Sequence, residues 1–467
     1  MKNIISLTIL VLLFSAQGLK AEIKLPSFFD SNMVLQQQSN APIWGWVKPN
    51  TSVRIKTSWD NKIYTLKSGQ DGKWKANLNT PKAGGPYTIN ISDGKELVLN
   101  NIMIGEVWIC SGQSNMEMPM IGFGNQPVNN SLDAIVKSKN KNVRLFTVKR
   151  DYSPTSLDDC SGAWSEASPE TVARFSATAY YFGRLINQMT DVPVGLMVVS
   201  WGGSSIKAWL DEESIAPFGD KVIPRKEDMA TPNKSATALY NAMLYPIIGY
   251  SIRGAIWYQG ETDIYMPQLY GNYFEAMVKG WRSKWNCGEF PFYFAQIAPY
   301  KYNSEHNSAF LREAQFNSMK NIPNSGMAVL MDSNSPDCIH PAMKQEVGER
   351  LAYWALSETY KIKGIPHKSP TVSDIKTEGK MMILTFENAP GGLTSYGKKV
   401  KGVKIAGSNK RWYQAEVTLD ENKMYVFSPK VAEPVAVRYA FDDYADGEIF
   451  SNQGLPLSSF RTDDWKR

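Results

Sequence analysis

The stretch CSGQSNMEM at residues 110–118 places a serine, Ser114, between two amide side chains, Gln113 and Asn115, directly behind the apolar run IMIGEVWIC. A strand that ends on Ser-Gly-Gln-Ser-Asn offers residues too small and polar to pack as core, and the chemistry they suit is nucleophilic. A serine hydroxyl attacks only when a base takes its proton, so Ser114 needs an imidazole within hydrogen-bond reach. Three histidines are present. His306 lies in the polar stretch KYNSEHNS and His367 in the linker IPHKSP, whereas His340 stands in DCIHP, where Pro341 marks the start of a helix. His340 is therefore the candidate base. Asp337, three residues earlier, can accept a hydrogen bond from one ring nitrogen and stabilise the imidazolium, with Asp332 as the alternative for that role.

An acyl carbonyl under attack becomes an oxyanion, and preorganised donors aimed at it are each worth about 10²- to 10³-fold in rate. The N–H of Ser114, that of Gly203 in WGGSS, and the side-chain amide of Gln259 in YQGETD are the candidates. Glu261 and Asp263 could form a glycosidase-like carboxylate pair. The preferred reading is that Glu261 ties its loop to the serine strand. Trp201, Trp209 and Glu261 complete the candidate substrate contacts; tryptophan faces suit sugar rings, although most tryptophans anchor cores.

Each of these groups follows an apolar run, and in open α/β sheets ligands bind beyond the carboxyl ends of the strands. From about residue 102 to 360 the runs IMIGEVWI, VPVGLMVVS, RGAIWY, FPFYFAQIA and GMAVLMD alternate with helical segments such as ATAYYFGRLINQ and MKQEVGERLAYW. Continuous rather than alternating hydrophobicity means both strand faces are covered, as in a parallel sheet between helices. Before it, residues 22–101 alternate in short runs such as SVRIKTSW and YTINIS, which predicts an antiparallel sandwich. After it, residues 363–467 return to strands such as KMMILTFE and VAVRYAF. The expected domains are thus 22–101, 102–362 and 363–467.

Residues 1–21 open with one Lys ahead of IISLTILVLLF, the pattern of a secretory signal too short to span a bilayer, which places the mature chain in the periplasm or outside the cell. Loss of Lys2 and Lys20 with it lowers the formal charge from +6 to +4, with no long basic block, so nucleic acid is a poor partner. Nor does any other run suggest an integral membrane segment. Cys110, Cys160, Cys287 and Cys338 permit one or two disulfides in an exported chain. They lack CxxC spacing and the histidines lie far apart, which argues against structural zinc.

GQSNMEM, SWGGSSIKAW, WYQGETD and DCIHP, in this order, resemble the blocks of the SGNH (GDSL-like) hydrolases, in particular the bacterial sialate O-acetylesterase family. The likeness extends to MVLQQQSNAPIWGWVKPN near the start and GLPLSSFRTDDW near the end. It implies a flavodoxin-like catalytic domain flanked by β-rich, sandwich-like domains. It also implies Ser114 as nucleophile, His340 as base, Asp337 as orienting acid, and an oxyanion hole from Ser114, the block glycine and Gln259, which stands where broader SGNH enzymes carry Asn. No cofactor or metal is implied. The expected substrate is an O-acetylated glycan or sialic acid. An acetylated plant polysaccharide such as xylan is the rival substrate, and a noncatalytic carbohydrate-binding protein is the rival class.

Overall fold

The computed structural model describes residues 23–465 apart from Asn303 and Asn334. The signal-like segment at residues 1–21 lies outside the described residues. The chain is a mixed α/β protein with a central sheet and further β-rich sheets.

Seven strands form the part of the sheet that carries the chemistry: β1 (Glu96–Gly112), β2 (Asn140–Thr147), β3 (Trp164–Ala167), β4 (Val194–Ser200), β5 (Gly254–Tyr258), β6 (Phe292–Ala295) and β7 (Ser325–Ala328). Their spatial order is β7-β6-β5-β1-β4-β2-β3. All neighbours run parallel except β2 and β3. A flavodoxin-like order would place β1 between β2 and β4; here β4 lies between the other two.

Side chains of β1 alternate between two apolar layers, as the period of two requires. Trp108 and Cys110 pack with residues of α2 (Ala177–Thr190) and α5 (Lys344–Trp354). Val107 and Ile109 face the opposite layer, which includes Phe274 and Trp281 of α3 (Pro267–Trp285) and Leu311 of α4 (Ala309–Asn321). Every residue of β4 and β5 is buried, which is why these runs are continuously apolar. Helix α2 starts where the Ser176 hydroxyl accepts the Ala179 N–H, and it stops at Asp191 in a left-handed conformation.

The expected boundary at residues 101 and 102 falls inside one strand. The first half of β1 pairs antiparallel with Gly84–Ser92, which pairs in turn with Ser52–Thr57, while its second half enters the parallel sheet. Ser52–Thr57 shows the strict exposed-buried alternation its sequence predicts. At the other end, two four-stranded antiparallel sheets are built from residues 371–461. Arg312 of α4, fully buried, fastens this region by donating to Ser459 Oγ (3.0 Å) and to the Asp442 carbonyl (2.5 Å).

Candidate active site

Strands β1, β4 and β5 are neighbours and end level with one another: Gly112 is paired with Ser200 on one side and Tyr258 on the other. The loops GQSN, WGGSS and QGETD therefore emerge side by side. Gly112 has φ +142°, and a Cβ there would lie 2.1 Å from the Tyr258 carbonyl oxygen, so only glycine can carry β1 past β5. The chain then turns through Gln113 into the four-residue helix α1 (Ser114–Glu117), whose first residue is the half-buried Ser114.

Of the two loop glycines, one is already engaged. Gly202 N–H donates to Glu117 Oε2 (2.8 Å), while the N–H groups of Gly203 and Ser114 have no hydrogen-bond partner among the described residues. Gly203 holds φ +68°, a conformation that suits glycine, and a Cβ on Gly202 would sit 3.3 Å from Ser114 Cβ. The glycine turn thus packs directly on the serine, with one free N–H on each.

The His340 loop is clasped to the serine turn by Asn115 Nδ2, which donates to the Ile339 carbonyl (3.1 Å). His340 Nδ1 lies 2.6 Å from Gln126 Oε1, and Phe123 meets the imidazole edge to face at 5.2 Å. No hydrogen bond joins Ser114 Oγ to His340; catalytic hydrogen bonds are often made only once substrate is bound, so its absence here does not exclude the pair. Burial, and then the nearby Lys344 ammonium, lower the His340 pKa to about 4, so the ring is neutral and able to accept a proton at neutral pH.

Several expected roles are corrected by this arrangement. Asp337 is exposed and makes no hydrogen bond to His340; Gln126 occupies a ring nitrogen instead. Asp332 is engaged by both Nη atoms of Arg350 (2.7 and 2.6 Å). Gln259 is fully buried and both its amide hydrogens are spent, on the Ser204 carbonyl (2.9 Å) and Asp263 Oδ2 (2.6 Å), so it braces the WGGSS loop rather than facing an oxyanion. Trp209 is fully buried with its indole N–H on Ser204 Oγ (2.9 Å), and cannot face a sugar. Cys110, Cys160, Cys287 and Cys338 are all free thiols.

The carboxylates of the QGETD loop are structural. Asp263 accepts from Ser205 Oγ and the Ile206 N–H (2.7 Å each) as well as from Gln259; burial raises its pKa to about 6 against those bonds. Glu261 accepts from Asn115 Nδ2 (2.5 Å), and Asn115 Oδ1 accepts from Lys344 Nζ (2.5 Å). Lys344 is fully buried, and burial lowers its pKa to about 7, while Glu261 is pushed up by the same cause. This acid-amide-ammonium chain ties β5, the serine turn and α5 together.

Trp201 stays partly exposed at the rim. The Arg150 guanidinium lies 5.5 Å from its ring and is held by Glu117 through Nε and Nη2 (2.6 Å each). Gln126, Arg150 and Lys344 escaped sequence reasoning. Glu117 lies inside the GQSNMEM block, but nothing local to Gln126 or Arg150 signals a site. Among the described residues no group of three or more His, Cys, Asp or Glu is placed to hold a metal.

A serine at the carboxyl end of a parallel strand, with an imidazole loop clasped to it and free N–H groups beside it, is the layout of an α/β esterase. Comparison with known proteins narrows the class. The family model described as carbohydrate esterase, sialic acid-specific acetylesterase matches residues 104–357, more than half of the chain. The protein belongs to that family. It is similar to the human sialate O-acetylesterase, 28% identical over 415 residues that cover 80% of this chain and 78% of that protein. The mouse sialate O-acetylesterase is 26% identical, covering 90% and 89%. Among solved structures, a carbohydrate acetylesterase from Xanthomonas citri superposes with a TM-score of 0.87 at 32% identity, covering 95% of this chain and all of that one.

Proposed function

We propose that the protein removes O-acetyl groups from a glycan through an acyl-enzyme on Ser114, with acetylated sialic acid as the preferred substrate class and an SGNH-type mechanism. The observation that carries the reading is the Asn115–Ile339 hydrogen bond, which fixes the serine turn against the His340 loop. In the first half-reaction Ser114 Oγ bonds to the acetyl carbonyl carbon as His340 takes its proton. The oxyanion settles on the Ser114 and Gly203 N–H groups. Collapse breaks the ester bond, and the departing sugar oxygen receives the proton from His340. Water then repeats the sequence, releasing acetate and restoring Ser114.

Gln126 orients the imidazole in this arrangement, and Asp337 can do so only if the loop it shares with His340 rearranges. Trp201 offers a face to the sugar ring. Arg150 makes no Nη1 hydrogen bond among the described residues, which leaves that group to meet the carboxylate of a sialic acid. Export through residues 1–21 would bring the enzyme to such glycans outside the cytoplasm.

Ser114→Ala should abolish acetate release from 9-O-acetylated sialic acid and from p-nitrophenyl acetate, since loss of a nucleophile acting as a unit with its base typically costs about 10⁶-fold. More than a trace of remaining turnover would refute the assignment. Acetylated xylan assayed beside the sialic acid separates the two substrate classes.

A further inference from the structure

A second site lies away from Ser114. Asn40–Trp46 and Lys73–Asn79 form a two-stranded antiparallel ribbon in which Trp44 is paired with Lys75 and Trp46 with Lys73. Directly opposed residues share a face, so two tryptophans and two lysines lie together on one side. Between the tryptophans stands Gly45, where a Cβ would come 2.4 Å from the Lys24 carbonyl oxygen. The ribbon forms one wall of a groove of about 540 Å³ whose other wall carries Tyr245, 41% exposed, and Asp158.

The charge of this groove is one-sided. Lys73 is paired with Asp158 (3.1 Å) and Lys284 with Glu213 (2.7 Å). Lys75 lies 5.9 Å from the Trp44 ring and Lys24 5.7 Å from the Trp46 ring, and neither makes an ion pair among the described residues. Flat aromatic faces beside two unneutralised ammonium groups match a carboxylate-bearing sugar chain: rings stack on the indoles while carboxylates meet the lysines.

Position links the groove to the catalytic end of the sheet. The segment after β2 carries Arg150, bound to Glu117 at the candidate site, and Asp158, bound to Lys73 in the groove. Eight residues span at most about 28 Å when fully extended, so the two places lie within the reach of one glycan chain. A chain held at both raises its effective concentration at the second without any new contact.

We propose that this groove is a noncatalytic binding site for an acidic glycan, which retains polymeric substrate while the ester is cleaved elsewhere. Affinity electrophoresis of the full chain in gels containing polysialic acid, polygalacturonic acid or neutral deacetylated xylan tests it. The wild-type protein should be retarded by at least one acidic polymer and not by xylan, and the polymer that binds identifies the acidic sugar. Trp46→Ala combined with Tyr245→Ala should raise the apparent Kd at least tenfold and leave p-nitrophenyl acetate turnover unchanged. Lys75→Glu, an exposed change that spares the aromatic faces, should weaken retention about three- to tenfold and guards against misfolding of the double variant. Retardation by neither acidic polymer, equal retardation by xylan, or variants that bind like the wild type would overturn the proposal. None of these results depends on Ser114, so failure here leaves the esterase reading standing, and a Ser114→Ala variant that keeps its esterase activity sinks that reading alone.

Discussion

Lys344→Met is the most informative single perturbation of the site, because Lys344 is a fully buried cation whose hydrogen bond to Asn115 continues to Glu261. Removing one member of a buried ionic arrangement costs about 3–5 kcal/mol, since the charge left behind is uncompensated. Here that charge is the Glu261 carboxylate, whose Oε2 already has no hydrogen-bond partner. Glu261→Gln keeps the oxygen that accepts from Asn115 and removes the charge, so the double variant should recover at least about 2 kcal/mol of the single loss. The sign of the pH dependence follows from Lys344. Its folded pKa of about 7 lies below the roughly 10.4 of an unfolded lysine, so above pH 7 the unfolded chain holds a proton that the folded one has released. Stability contributed at this position therefore rises as pH climbs from 7, and Glu261→Gln alone should cost less at pH 8 than at pH 6. Urea unfolding of the four proteins at both pH values, followed by tryptophan fluorescence and by loss of p-nitrophenyl acetate turnover, measures the coupling. Strictly additive single costs, or a Lys344→Met loss under about 1 kcal/mol, would show that the three residues do not act as one connected brace.

Three further outcomes are expected. With the His340 pKa lowered to about 4, the acid limb of kcat/KM should fall near pH 4 rather than near the roughly 6.5 of an ordinary imidazole, and a rate profile between pH 3.5 and 8 reads it directly. Gln126→Ala should lower kcat about tenfold, the worth of one orienting hydrogen bond, while Asp337→Asn changes it little; the opposite ranking would mean the loop closes onto Asp337 during turnover. Gly112→Ala forces a Cβ into the Tyr258 carbonyl at φ +142° and should destabilise the fold by at least about 3 kcal/mol or prevent soluble expression, which a thermal melt of the purified variant would report.

What sequence could show of this site is what strands themselves dictate. β4, β5 and the second half of β1 are buried throughout and end level, so the polar residues immediately beyond them had to converge, and the meeting of the Ser114 and Gly203 loops was legible for that reason. The failures lie where the outcome depends on a neighbour from another part of the chain. Gln259 looks like a free donor until Ser204 and Asp263 claim both its hydrogens. Trp209 looks like a sugar platform until the short helical turn at Ile206–Trp209 aims it inward. Gln126 sits in an irregular turn with no periodic signal, and only Phe123 packing beside His340 shows why that turn arrives there. The expected boundary at residues 101 and 102 rests on a change of texture, and β1 passes from partly exposed to fully buried there as one backbone.

The same dependence explains why the serine turn is surrounded by so many polar contacts. A four-residue helix cannot hold itself together, because nucleation fixes more dihedral angles than one hydrogen bond repays. Presenting the Ser114 hydroxyl outward also denies the turn an apolar anchor at that position. Its rigidity must come from elsewhere, and successive residues draw on different loops. Gln113 Oε1 accepts from the Gly260 and Thr262 N–H groups; Asn115 reaches Glu261, Lys344 and the Ile339 carbonyl; the Met116 carbonyl accepts from Ser176; Glu117 takes Arg150 and the Gly202 N–H. Ser176 also reaches Met116 Sδ (3.9 Å), and among the described residues of this turn Ser114 alone makes no side-chain hydrogen bond. An arrangement that ties every neighbour and frees one hydroxyl spends stability on position, which is what the proposed role of Ser114 as nucleophile requires.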